Sequence, residues 1–275
     1  MSREAPEAVG LSSSRLQYLD RYMQQRYIDM GRLPCAMTLV ERRGQLAHFS
    51  TQGQMDLERA RPLQQDTLFR IYSMSKPITS VALMMLVEEG LIGLDDPVHR
   101  FIPQWRNLGV YEGGFLETFR TRPTKTPMRI VDLLRHTSGL TYGLQQRTNV
   151  DAAYRKFGFG DPAGAGTLEA MIEGLAKIPL EASPGDVWNY SVSTDVLGYL
   201  VGKISGVPFE EFLRQRIFAP LGMVDTDFHV PASKASRLAA CYVLAPDGRL
   251  KLQDDPQTSR YLQPPAFISG GGGLV

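Results

Sequence analysis

The chain has 275 residues, 43% of them hydrophobic and 21% charged, with a net charge of +1, a soluble globular composition long enough for one large domain or two interleaved ones. That charge balance gives no electrostatic case for nucleic acid or an anionic membrane as partner. The longest apolar run, residues 81–87, is far too short to span a bilayer.

The first 20 residues carry charges and no apolar stretch, which argues against a secretory signal and makes a cytoplasmic location the default expectation. Cys35 and Cys241 lie in different regions without metal-ligand spacing, and two reduced thiols are expected rather than a disulfide. In order, residues 12–30 read as an amphipathic helix. A serine cluster caps it, Leu16, Leu19, Met23, Tyr27 and Met30 form its stripe, and Gly31 ends it. Residues 36–40 and 46–50 flank Arg42-Arg43-Gly44, a hairpin signal. Residues 67–72 alternate weakly and run into Ser73. From 76 to 89, Ile78, Val81, Leu83, Met84, Met85, Leu86 and Val87 leave almost no polar face, which predicts a helix buried on most sides. Pro77 fits only a first turn, so this helix starts near Ser73 to Ser75, and Gly90 is its stop.

Residues 103–127 mix proline, glycine and charge without period, a long surface excursion. A helix then begins at Thr126-Pro127, runs through Ile130, Leu133 and Leu134, and ends at His136-Thr137-Ser138-Gly139. Residues 149–166 read as irregular, with Phe157-Gly158-Phe159-Gly160 as a loop that packs its aromatics. Thr167 caps a helix striped by Leu168, Met171, Ile172 and Leu175, and the turn Ser183-Pro184-Gly185-Asp186 delivers residues 187–192. Ser193 or Thr194 caps the next helix, ended by Gly206, and a short helix over 208–218 follows. Residues 238–244 and 250–252 form a second hairpin about Ala245-Pro246-Asp247-Gly248. The order predicts an α/β domain from residues 1–72 and 232–275, with an inserted helical domain over 73–231. The chain closes on Ser269, four glycines, Leu274 and Val275, with no closing element. A lone terminal hairpin makes a marginal sheet, so the expectation is that further C-terminal strands are missing here or come from another chain.

Ser73 and Lys76 stand at i and i+3, on one face of a helix start. A serine hydroxyl needs an adjacent base to act as nucleophile, and an amine whose charged form is disfavoured by burial can supply it. The spacing alone is weak: 17 serines and 7 lysines give about 0.4 such pairs by chance. Its place at the head of an apolar helix, where the dipole favours a developing oxyanion, strengthens it. Tyr190, after a turn and before a capped helix, adds a possible general acid or base. Competing sites are thinner. No serine has glycine at both −2 and +2, the four histidines form no HExxH pair or Cys/His cluster, and the glycine run lacks a following Gly-Lys-Ser/Thr. No metal or cofactor is expected. His136 in a Ser-His-Asp triad is weaker than His136 as a hydrogen-bonded residue at a helix end. Asp95-Asp96 reads as a cap or turn, and Trp105 and Trp188 as packing.

Three blocks in this order, Ser73-Met74-Ser75-Lys76, residues 133–140 (LLRHTSGL), and Pro184-Gly185 leading to Tyr190-Ser191-Val192, resemble the serine β-lactamase and penicillin-binding-protein superfamily. The pattern Trp188-x-Tyr190-Ser191 followed by Asp195-Val196-Leu197-Gly198 is most similar to the β-lactamase-like, family VIII carboxylesterases. The resemblance runs from about Ala8 to the end. It implies an antiparallel sheet flanked by helices beside a helical domain, the sheet incomplete in this chain. It implies Ser73 as the acylated nucleophile, with Lys76 and Tyr190 as the network that activates it, and a small-molecule ester as substrate. Oligomeric state is left open. Val192 stands where penicillin-recognising members carry asparagine, which favours esters over β-lactams. The family's third motif, a Lys-Thr-Gly-like or Trp/His-x-Gly strand, has no match. The alternatives are an acyltransferase, β-lactamase or D-aminopeptidase-type activity on the same site, or an incomplete homologue acting by binding or assembly.

Overall fold

The computed structural model describes residues 5–161 and 166–275. Residues 1–4, part of the segment read as lacking a secretory signal, and 162–165, within the stretch read as irregular, lie outside the described residues. The chain divides into two units, Met1–Phe69 with Val230–Leu262 and Arg70–His229 with Gln263–Val275.

In the first unit, Ser12 Oγ accepts from Arg15 N–H and caps helix α1 (Ser13–Met23), which a wider π-type turn over Gln24–Ile28 prolongs. Strands β1 (Cys35–Arg42) and β2 (Gln45–Asp56) pair antiparallel, and β3 (Arg61–Pro62) completes a three-stranded sheet in the order β1-β2-β3. Arg43 and Gly44 join them with φ of 56° and 75°, the left-handed pair whose twist matches a tight hairpin. Residues 67–72, read as strand-like, contribute only one parallel bridge between Leu68 and Leu238. Met55, Leu63 and Ala239 form one buried cluster here, with Cys35, Met37 and Phe69 against them.

The helical unit opens with α2 (Ser75–Glu88). It is not buried on most sides. Ala82, Leu83 and Leu86 are buried, while Val81 is 52% and Met84 41% exposed. An apolar sequence on both faces shows which residue types are there, not how many faces meet a neighbour. Residues 103–127 are more than an excursion, since β4 (Val110–Gly113) and β5 (Arg120–Arg122) form a hairpin. Tyr111 N–H anchors it on Leu180 O at 2.8 Å, a partner too distant in sequence to be read from a local pattern. Helix α3 is Ile130–Leu134. It does not begin at Thr126-Pro127, because an antiparallel bridge between Pro97 and Arg129 keeps that approach extended. Asp132 then accepts Arg129 N–H at 2.9 Å as the helix starts.

The stretch 149–166 is not irregular throughout: α4 spans Asn149–Phe157. Thr148 Oγ1 accepts from Asp151 N–H and Asp151 Oδ2 from Thr148 N–H, a capping box, and Gly158 at φ 68° closes the helix. Phe157 and Phe159 stack at 5.5 Å, as the loop reading expects. Thr167 caps α5 (Leu168–Leu175). Helix α6 (Ser193–Ser205) has Val192 at its cap with no side-chain bond. Neither Ser193 nor Thr194 caps it. Ser193 Oγ instead bonds the hydroxyls of Ser138 and Ser191, both at 2.8 Å. Helix α7 (Phe209–Leu213) follows, continued by a π-type turn over Arg214–Phe218.

Leu83, Leu86, Ile130, Leu133, Leu175, Leu197 and Leu200 form the centre of this unit, each 1% exposed or less. Each such side chain contributes about 1.5–3 kcal/mol. The chain then returns to the first unit as the hairpin β6 (Cys241–Leu244) and β7 (Leu250–Asp254). Cys35 and Cys241 are free thiols. Residues 263–275, grouped by sequence with the α/β part, belong to the helical unit, because their backbone bonds to α2 and α6, as described below. Among the described residues no helix is long and apolar enough to cross a membrane.

Candidate active site

Ser73 lies in a tight turn, Tyr72–Met74, immediately before α2. Tyr72 has φ 43°, a left-handed conformation that costs a bulky residue about 1–3 kcal/mol and persists only where neighbours impose it. Ile71 N–H bonding to Leu274 O at 3.0 Å and Met74 N–H to Ile71 O at 2.9 Å hold the turn. Pro77 occupies the third position of α2, within the first turn, where no backbone donor is needed.

One helical step after Ser73, Lys76 Nζ donates to Ser73 Oγ at 3.1 Å and to the Gly271 carbonyl at 2.7 Å. Tyr190 comes from the turn before α6, and its hydroxyl stands 2.5 Å from Ser73 Oγ. Lys76 Nζ lies 4.5 Å from the Tyr190 ring centroid and 5.6 Å from that of Tyr142, close enough for each ring face to stabilise a cation. The three side chains singled out from sequence therefore meet at one point, with Ser73 exposed. Ser75, the other serine of the motif, is fully buried and accepts Leu274 N–H at 3.1 Å.

Tyr190 is held on several sides. Gln145 Nε2 donates to its carbonyl at 3.0 Å. Its ring stands 4.9 Å from His136, 5.4 Å from Tyr142 and 6.4 Å from Trp188. His136 Nδ1 lies 3.3 Å from both the backbone nitrogen and the hydroxyl of Ser191, so it supports the segment that carries Tyr190 and does not complete a triad with Ser73. Burial, followed by the positive Lys76, pushes its imidazole down to about 4. Trp105 is buried and donates to Ile172 O at 3.0 Å. Trp188, also read as packing, is 66% exposed beside Tyr190. Asp95 and Asp96 pair with Arg129 and Arg100 at 2.9 Å each, and Asp96 Oδ2 also accepts Gly93 N–H.

Residues not singled out for chemistry complete the site. Asp195, buried in the first turn of α6, accepts Ser269 Oγ at 2.6 Å, Gly271 N–H at 2.9 Å and Tyr142 OH at 3.4 Å. Burial pushes its carboxyl up, opposed by those bonds and by Lys76. A Cβ at Gly271 would stand 2.7 Å from Asp195 Oδ2 and 2.8 Å from Tyr142 OH, so a side chain there would have to displace one of these groups. The one sequence signal that could have found Asp195 is a carboxylate inside an otherwise apolar helix, which needs buried partners. Among the described residues no group of three His, Cys, Asp or Glu could hold a metal ion.

The sequence matches the family described as Beta-lactamase over residues 17–275. It is 37% identical over 246 residues to Protein Rv1367c of Mycobacterium tuberculosis, covering 90% of this chain and 60% of that protein. It is 30% identical over 285 residues to Esterase EstB of Burkholderia gladioli, covering 98% of this chain and 67% of EstB. Among solved structures, "EstCE1, a hydrolase with promiscuous acyltransferase activity" aligns with a TM-score of 0.80 at 29% identity, covering 95% of this chain and 70% of EstCE1. The chain thus spans 60% of the length of Protein Rv1367c.

Proposed function

The chain belongs to the β-lactamase family and has a β-lactamase-like fold, and from that premise we propose that it is a serine hydrolase cleaving short-chain carboxylic esters through an acyl-enzyme on Ser73. The observation that carries the reading is the placement of Ser73 Oγ within hydrogen-bond reach of both Tyr190 OH, at 2.5 Å, and Lys76 Nζ, at 3.1 Å. Ser73 gives its proton to this pair as Oγ attacks the ester carbonyl. The tetrahedral intermediate collapses with loss of the alcohol, which takes the proton back. Water, deprotonated by the same pair, then attacks the acyl carbon, and the pair returns the proton to Ser73 Oγ as the acid leaves. Lys76 and Tyr190 act as one unit. The positive end of the α2 dipole favours the developing oxyanion.

Two features support an ester in preference to an amide. Val192, two residues past Tyr190, is fully buried and offers no side-chain group to bond an amide. Esterase EstB is matched along 98% of this chain. A second reading, transfer of the acyl group to an alcohol other than water, is supported by the fold likeness to EstCE1, described as having promiscuous acyltransferase activity. Both readings share the acyl-enzyme.

Stoichiometric labelling with a fluorophosphonate, followed by peptide mapping, tests the nucleophile. Label is expected on Ser73, and its absence, or label on another serine, overturns the reading. Hydrolysis of p-nitrophenyl butyrate is expected to vanish in Ser73→Ala. Butyl butyrate formation when 1-butanol is added separates transfer from hydrolysis.

A further inference from the structure

Asp195 is a fully buried carboxylate that touches neither Ser73 nor the reacting atoms in the scheme above, yet it reaches Lys76 along two routes. Along the first, its Oδ1 accepts Gly271 N–H at 2.9 Å and Ser269 Oγ at 2.6 Å, and the carbonyl of the same Gly271 accepts from Lys76 Nζ at 2.7 Å. Along the second, its Oδ2 accepts Tyr142 OH at 3.4 Å, and the Tyr142 ring lies 5.6 Å from Lys76 Nζ and 5.4 Å from the Tyr190 ring. A lysine has four side-chain rotors and no intrinsic aim. The Gly271 carbonyl fixes one direction of Nζ, and Ser73 Oγ takes another.

We propose that Asp195 is a positioning residue: it pins the backbone at Gly271 so that the carbonyl there holds Lys76 Nζ against Ser73. The proposal rests on the hydrolase reading and adds the residue that sets its geometry. The carboxylate acts by place, not by charge on the reacting atoms. The lack of a side chain at Gly271 serves the same contact, since a methyl there would stand 2.7 Å from Asp195 Oδ2 and force Asp195 and the Gly271 backbone apart. Burial raises the Asp195 carboxyl, so an amide of the same shape is a fair replacement. In Asp195→Asn the side-chain oxygen still accepts from Gly271 and Ser269, and the new NH2 faces the Tyr142 hydroxyl, which can accept.

The test is kcat and KM for p-nitrophenyl butyrate in the 275-residue chain, with kcat divided by the concentration of sites that a fluorophosphonate titrates, so that misfolded molecules drop out. Asp195→Asn is expected within about threefold of the parent in kcat per site. Asp195→Ala is expected to lose about a hundredfold in kcat with KM within about threefold, the signature of a misaimed base. Gly271→Ala approaches the same contact from the other end, with Asp195 intact, and is expected to lose at least about tenfold in kcat per site. A purely structural role would lower the fraction of titratable sites and leave kcat per site unchanged. Parent-like kcat per site in Asp195→Ala or Gly271→Ala overturns the proposal. Equal losses in Asp195→Asn and Asp195→Ala overturn it too, since charge would then matter and not place. If the parent chain takes no label at Ser73, it is the hydrolase reading that falls.

Discussion

Ser73 and Ser75 are two residues apart and serve opposite purposes. Ser73 is exposed, with its hydroxyl between an amine and a phenol, whereas Ser75 is buried and spends its oxygen on Leu274 N–H. The Ser-x-x-Lys spacing distinguishes them in sequence, because Ser75 has no lysine at its own i+3. His136 shows how a nearby titratable group can be excluded from the chemistry. It adopts φ 57°, packs on the Tyr190 ring, and has its charged form disfavoured first by burial and then by Lys76, which takes it from 6.5 to about 4. Its folded pKa is depressed, so the unfolded chain binds the proton more readily. The stability it contributes is therefore complete above pH 6.5 and is lost as pH falls towards 4. We expect the melting temperature of the parent to drop across that window by more than that of His136→Asn, a residue that tolerates the left-handed backbone. Thermal melts at half-unit pH steps decide it, and parallel curves would remove His136 from the account.

At the scale of elements, α2 shows both what the sequence makes legible and where it stops. Its start, its first-turn proline and its end near Gly90 follow from residue types alone. How many of its faces are covered does not, because Val81 and Met84 are as apolar as Leu83 and Leu86 and differ only in what lies against them. Urea unfolding should expose the difference. Leu86→Ala, at a site 1% exposed, is expected to cost about 2–5 kcal/mol through lost burial and a residual cavity. Met84→Ala, at a site 41% exposed, is expected within about 0.5 kcal/mol of the parent. Equal costs would mean that α2 is buried on both faces in solution. Helix α4 is hidden for another reason. Its capping box, Thr148 with Asp151, is present in the sequence, but the glycines that follow give the whole stretch an irregular pattern. The β4–β5 hairpin was not legible locally, since its anchor is Leu180.

At the scale of the whole molecule, the unit that holds Ser73 is assembled from two separate stretches of chain, Arg70–His229 and Gln263–Val275. The second gave little sign in sequence of where it belongs. Four glycines and two apolar residues carry no periodicity, and glycine is the residue with the most backbone freedom to lose. Here its residues are buried: Leu274 is 0% and Val275 6% exposed. The backbone of the run carries the site's contacts, which is why side-chain patterns could not reveal it. Gly270 O accepts Thr79 Oγ1 at 2.8 Å, Gly271 O accepts Lys76 Nζ, and Leu274 binds Ile71 and Ser75. Val275 exchanges backbone bonds with Asp227 at 3.0 and 3.3 Å. Removing residues 263–275 should therefore disturb the site itself. It frees Lys76 of one partner, releases the strained Tyr72 turn from Leu274, and exposes a pocket that Leu274 had filled at about 1.5–3 kcal/mol. We expect the second-order rate of fluorophosphonate labelling at Ser73 to fall by at least about a hundredfold, the scale of losing an aligned base, while far-UV circular dichroism keeps most of its helical signal. Parent-like labelling in the shortened chain would show that Ser73 and Lys76 hold their geometry without the glycine run, and would move the source of that geometry to α2 alone.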